Sequence, residues 1–299
     1  MTPVVASLPV RALLLGPVRD VRVLAVFPHA AYVEVVTDVP SHATPSLVAL
    51  VTSDGVMHPN ALVVPDRHTD RPFARSYQGQ AGRIGAGTLE LGDAVYRPAR
   101  WRSAVPSLPA TDPERLASAS AALRTHLEQR TGPLPDDLVA PAVTVAGGLV
   151  DADVEVVRSA AAELIGRGPG LTPSGDDVLA GVLAGLRVLA SAVGDVSSLL
   201  ASLDAAGPDL VRQATGRTTD VSLALLDHAT RGEVAAPAGD LLQALAAPTP
   251  WTAGPAATGD LATATDRLLA VGSTSGRDLA IGLLAAADRL VHRGSLVPG

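Results

Sequence analysis

The residues whose types and spacing are best suited to binding or catalysis lie in one short stretch, GRGPGLTPSGDD, which spans residues 166–177. A glycine-rich loop that leads into a helix N-terminus offers backbone N–H groups and the positive end of the helix dipole to an anion. The stretch holds more small and polar residues than helix packing requires, which favours a functional role. The candidate ligand-binding residues of this loop are Gly168, Gly170, Thr172, Ser174 and Gly175.

Asp176 and Asp177 fall within the first turn of the helix that follows the loop. As candidate catalytic residues they would hold Mg²⁺ together, or one of them would orient a nucleophile. The alternative is a structural role, because a carboxylate in a first turn interacts favourably with the helix dipole.

The same helix is predicted to begin at Thr172-Pro173 and to run over residues 174–193. Thr172 or Ser174 would cap it, and Pro173 would occupy the first helical position, where its missing N–H costs nothing. Its nearly all-round apolarity predicts a buried, central helix whose N-terminus faces a pocket. Gly175→Val is expected to abolish anion binding through this loop and to leave the fold largely intact.

A second stretch, SGRDLAIGLLA at residues 275–285, repeats the pattern of SGDDVLAGVLA at residues 174–184. If the repeat is more than a coincidence between helices rich in alanine and leucine, the two helices pack together through Gly181 and Gly282. Asp278 would then line the same cavity as Asp177. It becomes a third candidate catalytic residue, Ser275 and Gly276 become candidate ligand-binding residues, and Arg217 or Arg277 would balance the carboxylates.

A third helix start rich in hydroxyl groups lies between the two repeats. It adds Arg217, Thr218, Thr219 and Ser222 to the candidate ligand-binding residues. The alternative is an ordinary N-cap.

The composition excludes several kinds of chemistry. The chain has neither lysine nor cysteine, so it has no P-loop lysine, Schiff base, thiol nucleophile or disulfide. A net charge of −7 with 2% aromatic residues argues against nucleic-acid binding. The seven histidines show no metal-binding spacing; they are His29, His42, His58, His68, His126, His228 and His292.

The predicted fold class is α+β. Residues 1–105 form a β-rich domain, a small barrel or sandwich; residues 106–112 form a linker; and residues 113–299 form a larger, mostly helical domain. Within the first domain we expect a hairpin that runs from residues 47–52 through a turn at 53–55 to residue 56 onward, a further short strand over 61–64, and a loop over 67–83. Two more strands are expected over 84–96, around a turn at Gly92-Asp93. His58 and Asn60 are turn residues, or else site residues donated by this domain.

The predicted helices cover residues 114–130, 151–165, 174–193, 196–204, 209–215, 219–230, 239–246, 259–271 and 277–292. No segment reaches membrane-spanning length or forms a convincing targeting signal. A soluble, cytoplasmic protein is therefore expected.

Three motifs together resemble the AllH-like family, which is named after one subunit of bacterial oxamate carbamoyltransferase and is found with allantoin catabolism. They are GPGLTPSGDD (168–177), TT-x-x-S (218–222) and GSTSGRD (272–278). The sequence departs from the family at Arg277, where an aromatic residue is usual.

The resemblance implies phosphorolytic carbamoyl transfer, in which oxalurate and phosphate give oxamate and carbamoyl phosphate, within a hetero-oligomeric enzyme. Substrates of this kind are small anions with phosphate, carbamoyl or carboxylate groups. Two alternatives stay open: a non-catalytic subunit for small-anion binding or assembly, and a Mg-nucleotide-dependent kinase or ligase, against which the lack of lysine counts. No cofactor other than Mg²⁺ is suggested.

Overall fold

The computed structural model of the chain describes residues 1–36, 47–194, 197–247 and 256–294. The chain forms two compact units, Met1–Ala104 and Val105–Gly299. The first is built from strands and the second from helices, so the predicted α+β class is confirmed. His42 lies outside the described residues.

The described strands of the first unit form a closed barrel in the order β1-β5-β4-β3-β2-β6-β7-β8. The prediction of a barrel or sandwich is thereby resolved in favour of the barrel. The strands are β1 (Thr2–Ser7), β2 (Arg19–Val26), β3 (Ala30–Val35), β4 (Leu47–Val51), β5 (Ala61–Val63), β6 (Ala81–Gly85), β7 (Thr88–Leu91) and β8 (Ala94–Arg102); a short helix, α1 (Arg11–Leu15), follows β1.

The hairpin predicted after β4 is wrong. Strand β5 runs parallel to β4, with Leu50 opposite Leu62, so the intervening residues cross over instead of turning back. The buried side chain of Asn60 donates to the carbonyl of Leu47 over 3.0 Å, and the carbonyl of Asn60 accepts from the N–H of Ala49 over 3.0 Å. Asn60 therefore has the structural role, because it ties the start of β5 to β4.

The two strands expected around Gly92-Asp93 are β7 and β8, which are joined by a turn at these two residues. The region 84–96 also contains the end of β6, which a tight turn at residues 86–87 separates from β7. Strand β6 begins at Ala81, inside the predicted loop 67–83, so the predicted end of that loop is wrong. His58 packs beside Tyr32, with ring centroids 6.3 Å apart, and burial lowers the pKa of its imidazole to about 4.

The second unit contains nine described helices. They are α2 (Pro113–Thr131), α3 (Asp136–Asp151), α4 (Val154–Leu164), α5 (Ser174–Val193), α6 (Ser197–Ala214), α7 (Asp220–Thr230), α8 (Ala236–Ala246), α9 (Ala256–Leu269) and α10 (Ser275–Gly294). The bounds of α5 are those predicted. No helix in the described part of the chain combines the length and apolarity needed to cross a bilayer.

Proline explains the two largest errors among the predicted helices. The sequence analysis missed α3, which continues through Pro141 because its buried face packs against α4 and α10. The two segments predicted over 196–215 are the single helix α6, which continues through Pro208. In both helices the buried apolar face outweighs the one backbone hydrogen bond that proline removes.

Helix α5 is buried along most of its length and packs most extensively on α10, and also on α3, α4 and α7. Its alanine and glycine residues permit close approach of neighbouring backbones. The segment predicted as a linker joins this unit: the N–H of Thr111 donates to the carbonyl of Ala192 over 2.8 Å, and Asp112 caps α2.

Candidate functional site

The N-terminal halves of α5 and α10 are in backbone contact. A Cβ atom added to Gly181 would lie 2.3 Å from the carbonyl oxygen of Leu279, and one added to Gly282 would lie 2.1 Å from that of Val178. Only glycine allows two helices to approach this closely. The prediction that these two glycines form a tight helix contact is confirmed.

The contact between the two helices is reciprocal. Val178 and Leu279 occupy the same position in the two repeated stretches, one residue after Asp177 and Asp278. Each therefore contacts the glycine of the other copy, as equivalent groups do across a two-fold interface. The sequence repeat is thus also a structural one, with α4, its loop and α5 corresponding to α9, its loop and α10.

Two further glycines lie where each repeated helix packs closely against the helix that precedes it in the chain. A Cβ atom on Gly175 would lie 2.0 Å from the carbonyl oxygen of Leu164, and one on Gly276 would lie 1.8 Å from that of Leu268. The expectation that Gly175→Val leaves the fold intact is therefore wrong, because any side chain there would collide with the end of α4. We assign both glycines a packing role.

Hydroxyl groups from the two repeats meet above this helix contact. The hydroxyl oxygens of Thr172 and Ser275 are 2.9 Å apart. Both hydroxyls lie near enough to the carboxyl group of Asp177 to lower its pKa, whereas its Oδ2 atom is buried without a hydrogen-bond partner among the described residues. Burial raises the pKa of Asp177 to about 8, the hydroxyl groups oppose this, and the negative charges of Asp278 and Asp176 add to it. Asp177 is therefore mainly a neutral acid at pH 7.

Asp278 is fully buried and has an arginine partner. The Nε and Nη2 atoms of Arg277 donate to its Oδ1 atom over 2.9 and 2.7 Å. The expectation that an arginine such as Arg277 balances the carboxylates is confirmed for Asp278. Its Oδ2 atom is buried without a hydrogen-bond partner among the described residues.

Asp176 holds the glycine-rich loop and the start of α7 together. Its Oδ1 atom accepts from the N–H of Gly166 over 2.9 Å, and its Oδ2 atom accepts from the hydroxyl of Thr218. Burial raises the pKa of Asp176, whereas these hydrogen bonds, the nearby Ser222 and the charge of Arg217 act in the opposite direction.

The start of α7 is also attached to the loop. Thr219 caps the helix by accepting from the N–H of Ser222 over 3.1 Å, and its own hydroxyl donates to the carbonyl of Leu171 over 2.5 Å. Arg217 is exposed, and its Nη2 atom donates to the carbonyl of Ala162 over 3.0 Å. The N-termini of α5, α7 and α10 thus converge on the loop over residues 166–173.

The predicted cap of α5 is wrong. Pro173 is the N-cap residue, and no side chain caps the helix. Three N–H groups of the first turn are satisfied within the chain: that of Gly175 donates to the carbonyl of Arg167, and those of Asp176 and Asp177 donate to the carbonyl of Pro173. The polar groups that the loop directs toward α10 are therefore mainly hydroxyl and carboxyl groups.

Gly166 is the residue of this site whose role the sequence analysis missed. Its φ of +74° lies in the left-handed region, and a Cβ atom there would lie 2.2 Å from the carbonyl oxygen of Arg217. Glycine is therefore required where the end of α4 passes the start of α7. Its place at the start of the glycine-rich stretch 166–177 is the signal that the sequence offers for it.

Gly168 and Gly170 also adopt left-handed backbone angles, with φ of +107° and +101°. A Cβ atom on Gly168 would lie 3.0 Å from the backbone nitrogen of Ser174, whereas one on Gly170 would meet nothing within 4 Å. Gly170 is thus the glycine of the loop with open space beside it.

The two adjacent acids have separate surroundings. Asp176 contacts Gly166 and Thr218, whereas the pKa of Asp177 is influenced by Ser275 and Asp278 at the start of α10. Within the described ranges, the group of side chains that offers three ligand atoms to one metal ion lies instead in the barrel unit. A cavity of about 460 Å³ lies between α2 and the start of α3, and none of the candidate site residues lines it.

The comparison with known families agrees with the three motifs. Residues 164–287 match the family model described as oxamate carbamoyltransferase subunit AllH. No curated protein and no solved structure matches the chain. The matched segment begins at the end of α4 and ends within α10, so it contains the repeated helix starts and the start of α7. The resemblance drawn from the motifs is thereby confirmed over residues 164–287, which are similar to the AllH family model.

Proposed function

We propose that the N-termini of α5, α7 and α10 form the substrate site of a carbamoyltransferase subunit. The reaction is phosphorolytic transfer, in which oxalurate and phosphate give oxamate and carbamoyl phosphate. The observation that carries this proposal is the meeting of the Thr172 and Ser275 hydroxyls beside the half-buried Asp177, whose pKa is raised to about 8 by burial.

The polar groups of the site suit an amide-containing substrate. A carbamoyl or oxamate group has both N–H donors and carbonyl acceptors. Hydroxyl groups can satisfy either kind, and a neutral carboxyl group offers one donor together with an acceptor. The positive helix ends favour the substrate's carboxylate or phosphate. Gly170 leaves open space in the loop through which a substrate reaches these groups.

The proton balance of the reaction gives Asp177 a role. A phosphate oxygen attacks the terminal carbamoyl carbon, and the bond from that carbon to the inner nitrogen breaks. The leaving nitrogen must gain one proton, and hydrogen phosphate must lose one. A carboxyl group with a pKa near the working pH is suited to pass that proton. We assign this transfer to Asp177.

The other two acids position the site. Asp176 joins the loop to the start of α7 through Gly166 and Thr218, and Asp278 fixes Arg277. Arg277 stands where the family usually has an aromatic residue, so its guanidinium edge replaces a ring near the substrate. We infer that both acids hold the site in shape, whereas Asp177 contacts the substrate.

The test measures ligand binding and turnover separately. Calorimetry on the full chain at about pH 7 uses oxamate, oxalurate, phosphate and carbamoyl phosphate in turn. Phosphate release from carbamoyl phosphate and oxamate is then followed with and without co-purified partner chains, since the family's description is that of a subunit. We expect oxamate or oxalurate to bind, and Thr172→Val and Ser275→Ala to weaken binding at least tenfold.

Thr144→Val is the matched control, because the Thr144 hydroxyl also makes one hydrogen bond but lies exposed on α3. Equal effects of Thr172→Val and Thr144→Val would refute the site.

Binding without phosphate release, even with partner chains, would support a non-catalytic subunit. Binding of Mg-ATP alone would support a kinase or ligase, and activity that survives chelation of divalent ions would exclude a Mg²⁺ role for Asp176 and Asp177.

A further inference from the structure

Three loops at one end of the barrel bring two imidazoles and a carboxylate together. His29 lies in the turn between β2 and β3, Asp54 follows β4, and His68 begins a short 3-10 turn over His68–Asp70. Their donor atoms, one from each side chain, all lie within 4.8 Å of one another. The cluster lies wholly within the barrel unit and is independent of the function proposed above.

Backbone hydrogen bonds hold these loops in place. The N–H of Thr52 donates to the carbonyl of His29 over 3.0 Å, and that of Ser53 donates to the carbonyl of Asp66 over 2.9 Å. The N–H of His68 donates to the Oδ1 atom of Asp54 over 3.0 Å. The three side chains are therefore carried by connected backbone at the rim of a closed sheet.

The three side chains are close together, but of the two imidazoles only that of His68 is within hydrogen-bond distance of Asp54. The Nδ1 atom of His68 is 2.6 Å from Oδ2 of Asp54, whereas the Nδ1 atom of His29 is 3.9 Å from Oδ1 of the same carboxylate. The two imidazole rings have centroids 4.2 Å apart and are tilted by 36°. An ion pair between His68 and Asp54 does not require His29, yet His29 directs a nitrogen at the same carboxylate.

Two imidazoles and one carboxylate match the donor set of a transition-metal site. Three protein ligands of this kind hold zinc in open, four-coordinate sites, and the same set occurs with other divalent first-row metals. The Oδ2 atom of Asp54 is already within hydrogen-bond distance of His68 Nδ1, at 2.6 Å. Half of the His29 side chain is exposed, which leaves a path for an ion.

We propose that His29, Asp54 and His68 form a binding site for one divalent transition-metal ion of the zinc type. Binding moves the nitrogen of His29 toward Asp54 and replaces the hydrogen bond between His68 and Asp54. Arg67 is the nearby competitor, because its Nε atom lies 3.5 Å from Oδ2 of Asp54. Its side chain is 70% exposed, so it can move into solvent when the ion binds.

The test is calorimetric titration of the full, tag-free chain with ZnCl₂ after treatment with a chelator. We expect one Zn²⁺ per chain and at least tenfold weaker binding in each of His29→Asn, Asp54→Asn and His68→Asn. Arg67→Gln is expected to strengthen binding, because it removes the competing charge. All four positions lie in loops or turns, and circular dichroism checks that each variant is folded.

His126→Asn is the matched control. His126 is also paired with a carboxylate, Asp266, at 2.9 Å, but it is not one of the three clustered side chains. Zn²⁺ binding that is absent, or that is unchanged in the three cluster variants, would overturn the proposal. Equal losses in His126→Asn would do the same.

A second measurement needs no variant. Addition of Zn²⁺ is expected to shift the ring-proton NMR signals of His29 and His68 and to leave those of His126 and His228 in place. Co²⁺ in the same site is expected to give visible absorption bands of a low-coordinate ion. Unmoved His29 signals at saturating Zn²⁺ would show that the ring is not a ligand.

Discussion

At the scale of single residues, the site depends on carboxyl groups whose protonation is set by burial. Asp176 and Asp177 are neighbours in the chain but differ in partners: Asp176 accepts from a backbone N–H and a hydroxyl, and Asp177 lies against the second repeat. Hydrogen bonds from the protein favour the charged form of a carboxyl group, and loss of water favours the neutral form. Of these two adjacent aspartates, Asp176 can therefore hold the glycine-rich loop to the start of α7, and Asp177 can carry a proton.

We predict that Asp177→Asn alters the pH dependence of stability. The pKa of Asp177 is about 8 in the folded protein and about 3.9 in an unfolded chain, so the native state binds more protons between these values. The free energy of unfolding should then fall as the pH rises through this window. Between about pH 6 and about pH 8.5, the fall should be smaller in Asp177→Asn by about 1–3 kcal/mol.

Urea denaturation at the two pH values measures this difference. Asp240→Asn is the control, since Asp240 is half exposed on α8. Parallel stability curves for the wild type and Asp177→Asn would show that Asp177 is ionised at neutral pH, and would remove it as the proton carrier.

We predict that Thr218→Val destabilises the helical unit by about 1–3 kcal/mol. Asp176 is 2% exposed, and the hydroxyl of Thr218 donates to its Oδ2 atom, so the variant leaves a buried carboxylate oxygen without its donor. Chemical denaturation measures the change. Thr125→Val, on the exposed face of α2, should shift stability by less than about 0.5 kcal/mol, and equal losses in both variants would contradict the anchor role.

At the scale of elements, the site exists because α5 and α10 meet at glycine. The repeated stretches place a glycine four residues after each aspartate, one turn into the helix. The contact brings the two helix starts close enough for Thr172 to reach Ser275. A wider separation would move the hydroxyl groups of one repeat away from the carboxyl group of the other.

We predict that Gly181→Ala destabilises the protein by about 1–3 kcal/mol and weakens ligand binding. Its added methyl group would lie 2.3 Å from the carbonyl oxygen of Leu279, so the helices must separate. Gly147→Ala is the matched control within a helix, because a methyl group there meets nothing within 4 Å. That variant should be neutral or stabilising by up to about 1 kcal/mol.

Thermal or chemical denaturation of both alanine variants provides the comparison. Equal stability of the two would mean that α5 and α10 tolerate a wider spacing. Ligand binding by Gly181→Ala at the wild-type level would separate the site from this helix contact.

At the scale of the whole molecule, each unit has its own hydrophobic core. The barrel encloses one cluster that includes Val4, Leu50 and Leu89, and the helical unit encloses a larger one that includes Leu123 and Leu183. The barrel closes on itself through β1 and β8, so it leaves no free sheet edge. These are the properties of units that fold by themselves.

We predict that the chain separates into two folding units at residues 104–105. The fragment 105–299 should show helical circular dichroism and cooperative unfolding, and it should keep the anion and amide binding of the full chain. The fragment 1–104 should keep the Zn²⁺ site. Loss of cooperative unfolding in either fragment would show that its core needs the other unit.

The sequence alone determined the parts of this protein that depend on local pattern and on small residues. Helix α5 has the bounds that its sequence predicted, residues 174–193, and the glycines of the repeated stretches predicted the contact between α5 and α10. The reason is that a glycine within an apolar helix is costly unless a neighbouring backbone needs the space. The residues of each of the three motifs are close together in the sequence, so the resemblance to the AllH family over residues 164–287 could be recognised without the structure.

Only the tertiary structure decided what depends on residues distant in the chain. The proline-containing α3 forms because its buried face finds partners, and β5 pairs parallel to β4 because Asn60 reaches Leu47. The pKa of Asp177 is raised to about 8 mainly by burial, and the charge of Asp278 in the second repeat adds to this shift. Asp54 meets His29 and His68 only at the rim of the closed barrel. The burial of a side chain and the electric field around it depend on all residues that are close in space, whereas a sequence pattern shows only the residues that are close along the chain.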